Sequence, residues 1–235
     1  MNWVEKNPFI AHRGLHSKNI AENSEGAFTL AAEKGYAIEL DIQFLSDGTP
    51  IVFHDFELDR LTGKNTSLDN LNPQFLQHLR YFDGQRVLRF SEVLKLIDGK
   101  VPLLIEIKNE TCSPLGLKLI LKDLLTYRGR YSLQSFNPKI VSIIKRKAPH
   151  ISVGLLSTNW FSTGLKPWEK IYLQTLEYQY CIDFISVDKD KLGHKEFFWS
   201  SIKKVPLLVW TLRSKSEICS IDQRVSGFIF EGFLP

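Results

Sequence analysis

Four short stretches of this 235-residue chain put chemically capable side chains where a buried strand would ordinarily carry apolar ones. An apolar run beginning at Pro8 ends in His12-Arg13-Gly14. Glu39 and Asp41 alternate with Leu40 and Ile42, Glu106 and Lys108 alternate with Ile105 and Ile107, and the run from Pro50 to Phe53 ends in His54. Successive side chains of an extended strand point to opposite faces, so Glu39 shares a face with Asp41, and Glu106 with Lys108. Glu106 and Lys108 alone could neutralise each other as an ordinary ion pair. Three carboxylates buried at the same ends of adjacent strands are different, because they repel and raise one another's pKa unless something positive lies among them. Oxygen-only donors suit a hard divalent cation, Mg²⁺ or Ca²⁺, over zinc, which prefers nitrogen and sulfur. His12 and His54 titrate near neutral pH and can divide proton work, one taking and one giving. Asp55, one position on from His54, is expected to face away from it and to cap a loop.

These groups need a scaffold that aligns strand ends, and the hydrophobic pattern describes one. Eight short apolar runs, at 8–12, 37–42, 103–108, 131–136, 152–157, 184–189, 207–212 and 227–232, alternate with helical stretches such as 24–35, 114–127 and 138–148. Alternation of this kind is the sign of a parallel sheet with crossover helices. Asn23 or Ser24 suits the start of the first helix, and Gly35 stands just past its end. The run at 50–54 is a ninth candidate strand, but only LSDGT separates it from the strand before. That is too short for a parallel crossover, and Asp47-Gly48 suits the tip of an antiparallel hairpin. With 43–54 read as a hairpin, eight parallel strands remain. The expected fold is therefore a closed (β/α)8 TIM barrel, which carries its chemistry at the C-terminal strand ends. The chain reads as a single domain, 1–235, with an insertion over roughly 43–100 that contains the turn-rich DRLTGKNTSLDN at 59–70.

Composition narrows the class. With 43% hydrophobic and 24% charged residues, the chain has the balance of an ordinary globule with a full core, not of a disordered or fibrous protein. No apolar run approaches the ~20 residues of a membrane-spanning helix, so no integral membrane segment is expected. The first residues show no basic-then-apolar leader, which points to a cytoplasmic protein. Thirty basic against 26 acidic residues give +4, too mild and dispersed for nucleic acid. The basic clusters at 145–147 and 189–195 read as solvated helix ends. Cys112, Cys181 and Cys219 are widely spaced, without a CxxC, and suit a reducing compartment.

Taken in order, AHRG at 11–14, ENS at 22–24, ELDIQFLSDGTPIVFHD at 39–55, DRLTG at 59–63 and LIEIK at 104–108 resemble the glycerophosphodiester phosphodiesterases. Weaker agreement continues to Ser135-Phe136 and Trp210-Thr211, so the resemblance spans essentially the whole chain. It implies a barrel that uses a divalent cation to hydrolyse a small-molecule phosphodiester into glycerol 3-phosphate and an alcohol. Position by position, it implies that His12 and His54 are the acid–base pair and that Glu39, Asp41 and Glu106 hold the metal. It further places Arg13 and Lys108 on the phosphate oxygens, and Phe136 and Trp210 along the glycerol side. The chain departs from the pattern at Ala21 and Ser24, where Pro and Thr are common. It departs again at Arg213, where Asn is frequent, and at Glu231, where Asp is usual; the last two bear on the alcohol-binding side. A related barrel acting on lysophospholipids, with a cyclic phosphate product, is the competing enzymatic reading. A non-catalytic phosphodiester-binding protein would require the loss of one of these residues, and none is missing. Trp160, Phe161 and Trp168, after the fifth strand, are expected over the same mouth as pocket wall or loop anchors, and Phe197–Trp199 in a core.

Overall fold

Runs rich in leucine and β-branched residues become strands buried on both faces, as a parallel sheet under helices requires. The computed structural model describes residues 1–71, 73–108, 111–157, 182–193, 200–201 and 204–235. Its strands are β1 (Phe9–Ala11), β2 (Ala37–Phe44), β3 (Pro50–Val52), β4 (Leu103–Ile107), β5 (Tyr131–Ser135), β6 (Val153–Ser157), β7 (Phe184–Asp188), β8 (Leu207–Leu212) and β9 (Gly227–Phe230). The described helices are α1 (Glu25–Glu33), α2 (Asp59–Thr62), α3 (Phe90–Ile97), α4 (Pro114–Thr126), α5 (Pro138–Lys147) and α6 (Lys215–Ser220). All strands but β3 are parallel, and their order and connections are those of a (β/α)8 TIM barrel. Among the described residues no helix is long and apolar enough to cross a membrane.

The chain forms two compact units, Ile10–Tyr131 and Met1–Phe9 with Ser132–Pro235. In the first, β2 lies parallel to both β1 and β4. Ser24, not Asn23, caps α1, its hydroxyl accepting from the Ala27 N–H. Gly14 follows β1 at a φ of +78°, and a Cβ there would lie 2.8 Å from the Ala27 backbone. The loop after β1 thus approaches α1 more closely than any other residue allows. β2 does not stop at Ile42 but continues to Phe44, because β3 pairs antiparallel with its end, Ile42 opposite Val52 and Phe44 opposite Pro50. Gly48, at a φ of +81°, turns the hairpin. The expected hairpin is therefore a continuation of the strand that carries Glu39 and Asp41.

Between β3 and β4 the chain contains a helix that the turn-rich sequence concealed. α3 buries Phe90, Val93, Leu94 and Ile97, an i, i+3, i+4, i+7 stripe, and packs against α1. Ahead of it, α2 and two short 3₁₀ turns gather a small apolar cluster of Ile51, Phe53, Leu58, Leu61, Leu76 and Tyr81, with further buried neighbours. Phe53 is fully buried and stacks on Tyr81 at a centroid distance of 5.8 Å. This cluster pins the return arm of the hairpin directly before His54.

In the second unit β5 to β9 lie side by side in chain order. Gly154 opposes Phe184 across β6 and β7, and a Cβ on it would lie 2.2 Å from the Phe184 ring, so the missing side chain makes room for the aromatic one. Asn137 caps α5, whose last turn carries Lys145, Arg146 and Lys147; Lys145 reaches Asp183 at 2.8 Å, and the other two are exposed.

Replacing Phe53 with Ala should cost about 3–5 kcal/mol, the usual loss for a buried aromatic. Urea unfolding of Phe53→Ala against the wild type measures it.

Candidate active site

Strand register assembles the acidic cluster. Asp41 stands opposite Glu106 across β2 and β4, and Glu39 lies two residues back on the same face as Asp41. One carboxylate oxygen from each of Glu39, Asp41 and Glu106 falls within 4.8 Å of the others, and all three side chains are buried. Lys108, tied to β2 by its N–H to the Ile42 carbonyl, sends Nζ to Asp41 Oδ1 at 3.0 Å and to Glu106 Oε1 at 2.7 Å. Arg13 Nε lies 3.1 Å from Asp41 Oδ2, and the Arg13 backbone N–H donates to Glu39 Oε2 at 3.1 Å. His12 Nε2 is 4.0 Å from the same Glu39 oxygen.

Burial pushes the Glu39 carboxyl well above its usual pKa, and the adjacent Asp41 and Glu106 charges push it further. Glu106 is raised by burial and by Asp41, against the pull of Lys108. Burial acts the same way on Asp41, but Lys108 and Arg13 outweigh it and hold that carboxyl well below the carboxylate range. Three carboxylates thus face two cationic side chains out of water, an imbalance that a bound cation would relieve. The donors are all oxygen, so the residues fit a hard divalent ion.

His54 is fixed from two sides. The Gln43 side-chain amide donates to the His54 carbonyl at 3.0 Å, and the Thr111 hydroxyl, donating to Gln43 Oε1 at 2.6 Å, holds the amide in place. On the ring, Nδ1 lies 2.5 Å from Asp55 Oδ1. The expectation that Asp55 faces away is therefore corrected. β3 ends at Val52, and the bend at 53–55 no longer obeys the two-residue alternation of a strand. Asp55 in turn meets Arg60, which also grips Glu22, and Glu22 accepts from Arg13 Nη1 at 2.7 Å. Both imidazoles lie near enough to act on the charge of Asp41.

Asn23, expected only as an alternative helix cap, belongs to this centre. Its side chain donates to Asp41 Oδ2 at 2.9 Å and accepts from the Asp41 N–H at 3.3 Å, with its own backbone left-handed at a φ of 57°. Tyr81 Oη donates to the Asn23 carbonyl at 3.3 Å. Gln43, Glu22, Asn23 and Arg60 are the supporting residues that sequence reading passed over. Gln43 keeps the parity of Glu39 and Asp41, and the ENS and DRLTG stretches hold the others.

Phe136 and Trp210 belong to the second unit and meet edge to face at 5.8 Å. In the same unit the two departures from the family pattern find each other, Arg213 Nη2 lying 2.7 Å from Glu231 Oε1. Trp160, Phe161, Trp168, Phe197–Trp199 and Cys181 lie outside the described residues.

Carboxylates able to hold a cation thus stand beside Arg13, Lys108 and two imidazoles at strand ends of a TIM barrel, and solved structures share that fold. A phosphodiesterase of Oleispira antarctica, solved with its product sn-glycerol-3-phosphate, superposes with a TM-score of 0.80 at 19% identity, covering 95% of this chain and 92% of that one. The glycerophosphodiester phosphodiesterase of Thermotoga maritima gives 0.73 at 21% identity, covering 95% and 94%. The Glycerophosphoryl diester phosphodiesterase family model matches residues 12–230, and the chain belongs to that family. It is 35% identical over 172 residues to the glycerophosphodiester phosphodiesterase of Caldanaerobacter subterraneus subsp. tengcongensis, covering 68% of this chain and 69% of the relative. A Bacillus altitudinis enzyme of the same name is 29% identical, covering 63% and 65%. Membership makes this chain a phosphoric diester hydrolase acting on glycerophosphodiesters.

Asn23→Ala removes two hydrogen bonds from buried Asp41 and puts a Cβ-bearing residue without a polar side chain at positive φ. Together these should cost about 2–4 kcal/mol. Asn23→Gly, which restores the backbone freedom alone, should recover about 1 kcal/mol of that loss in urea unfolding.

Proposed function

We propose that this enzyme hydrolyses water-soluble glycerophosphodiesters to glycerol 3-phosphate and an alcohol, with His12 and His54 sharing the proton transfers. The observation that carries the reading is the convergence of Glu39, Asp41 and Glu106 within 4.8 Å, flanked by Arg13 and Lys108. These three carboxylates are the ligands we assign to a divalent cation, Mg²⁺ or Ca²⁺. When bound, such an ion withdraws charge from phosphate oxygens and so favours attack on phosphorus.

The chain's own groups do the rest. Arg13 sets its Nε beside Asp41 as an ion pair and donates one Nη1 hydrogen to Glu22, and its other Nη hydrogens are assigned to non-bridging phosphate oxygens. Lys108 adds a second fixed positive charge, and its pKa is raised: burial opposes protonation, but the Asp41 and Glu106 charges outweigh it. Donors fixed before the reaction favour the more highly charged transition state without reorganising. With Nδ1 facing Asp55, His54 presents Nε2 for proton transfer. One imidazole takes the proton of the attacking oxygen, from water or the glycerol 2-hydroxyl, and the other gives a proton to the departing alcohol. Phe136 and Trp210 are assigned to the glycerol moiety on the strength of the family resemblance. We further place the enzyme in the cytoplasm as one catalytic domain over 1–235.

His12→Ala and His54→Ala should each lower turnover of glycerophosphocholine by roughly 10²–10⁴-fold, read as glycerol 3-phosphate released, with unfolding midpoints unchanged. Near wild-type activity in both would refute the acid–base assignment. Chelation with EDTA should abolish activity and Mg²⁺ or Ca²⁺ should restore it, while Glu39→Ala and Glu106→Ala should not respond to either ion. Turnover insensitive to chelator would remove the metal from the reaction.

A further inference from the structure

Arg60 lies outside every assigned role, yet its guanidinium is the most heavily engaged near the site. Nε and Nη2 donate to the two oxygens of Asp55 at 2.5 and 3.0 Å, and Nη1 and Nη2 donate to the two oxygens of Glu22 at 3.0 and 2.7 Å. Two carboxylates are thus held by two forks, the planar geometry that arginine makes and lysine does not. Four of the five guanidinium N–H groups are consumed. That leaves Arg60 little to offer a substrate, and the arrangement is one of bracing.

The carboxylate oxygens that Arg60 Nη2 meets, Asp55 Oδ1 and Glu22 Oε1, also meet the groups assigned to the reaction. Asp55 Oδ1 meets His54 Nδ1 at 2.5 Å, and Glu22 Oε1 accepts from Arg13 Nη1 at 2.7 Å. A continuous path therefore runs from His54 through Asp55, Arg60 and Glu22 to Arg13. Although burial alone would raise the pKa of both acids, the Arg60 hydrogen bond to Glu22 and the His54 and Arg60 bonds to Asp55 hold them below the ordinary carboxylate range. An ionised Asp55 only accepts, so Nδ1 of His54 carries hydrogen, and in the neutral ring Nε2 is the nitrogen free to take a proton.

Arg60 itself is well anchored. Leu61 is buried in the apolar cluster of the insertion, and its carbonyl accepts from the Phe82 N–H at 2.8 Å. The Thr62 hydroxyl donates to the Leu58 carbonyl at 2.7 Å, and Gly63, left-handed at a φ of 66°, closes the turn onto the Asp59 carbonyl at 2.8 Å. The DRLTG stretch thereby acquires a physical reason: leucine anchors, threonine and glycine close the turn, and arginine points at the site.

We propose that Arg60 is a positioning residue that couples the imidazole of His54 to the guanidinium of Arg13 through Asp55 and Glu22, keeping the proton-transfer group in register with the phosphate-holding group. The coupling rests on the roles proposed above for His54 and Arg13.

The test uses the full chain with Mg²⁺ and glycerophosphocholine. Arg60→Ala should lower kcat roughly 10–100-fold with a smaller change in KM, the scale of losing an orienting partner. Arg60→Lys should recover only part of the loss, since an ammonium cannot make two forks. The double variant Arg60→Ala/Asp55→Asn should fall little below the worse single variant, because both break one path. Imidazole ¹⁵N shifts should show His54 as the single Nδ1–H tautomer in the wild type and as a mixture in Arg60→Ala, a change that lost stability alone would not produce. Should Arg60→Ala not fold, Arg60→Lys and Asp55→Asn are read by the same kinetic and ¹⁵N criteria. Wild-type kcat and an unchanged tautomer, or additive losses in the double variant, would overturn the coupling while His54→Ala stayed inactive and the functional reading stood. Wild-type turnover in His54→Ala would overturn that reading and the coupling with it.

Discussion

The burial of three like charges at one end of two paired strands is the constraint on which the rest of the site depends. Glu39, Asp41 and Glu106 gain no solvent to spread their charge, and the register that places Asp41 opposite Glu106 prevents them from moving apart. Everything nearby answers that repulsion. Lys108 bridges two of the three, Arg13 meets Glu39 with its backbone N–H and Asp41 with its guanidinium, and the Asn23 side chain donates to Asp41 as well. Burial that would be ruinous in a core is what makes the same oxygens good ligands for a hard cation.

Holding such a cluster requires backbone in conformations that ordinary loops avoid. Arg13 and Asn23 are both left-handed, and they are joined by the Asn23 N–H to the Arg13 carbonyl at 3.0 Å. Each then aims a polar group inward, the Arg13 amide at Glu39 and the Asn23 amide at Asp41. Gly14 lets this loop sink onto α1, where a bulkier residue would meet the Ala27 backbone. The small apolar cluster under the hairpin plays the same part for His54, fixing the residue before it by the Phe53 stack on Tyr81. Tyr81 also touches the Asn23 carbonyl, so one side chain steadies both arms of the site.

What could be read from the chain followed from local periodicity. The i, i+2 spacing of Glu39, Asp41 and Lys108 with Glu106 needs only a strand to be meaningful, and a five-residue connection excludes a parallel crossover without knowledge of the fold. The misreading of Asp55 came from carrying strand alternation past Val52, where β3 ends. α3 was hidden because its apolar stripe over Phe90–Ile97 sits behind a long stretch of turn formers. Asn23 passed for a helix cap because Ser24 beside it is an equally good one, and only tertiary contact with Asp41 separates them. Arg60 and Glu22 are neighbours through a fold built by the insertion, and no periodicity links them.

All the charged groups described around the carboxylates come from Ile10–Tyr131, while Phe136, Trp210 and the paired Arg213 and Glu231 come from the later stretch. The charge cluster and this aromatic and ion-paired set thus belong to different stretches of the chain. Because Arg213 and Glu231 meet at 2.7 Å, exchanging either one alone would take an opposite charge away from the other.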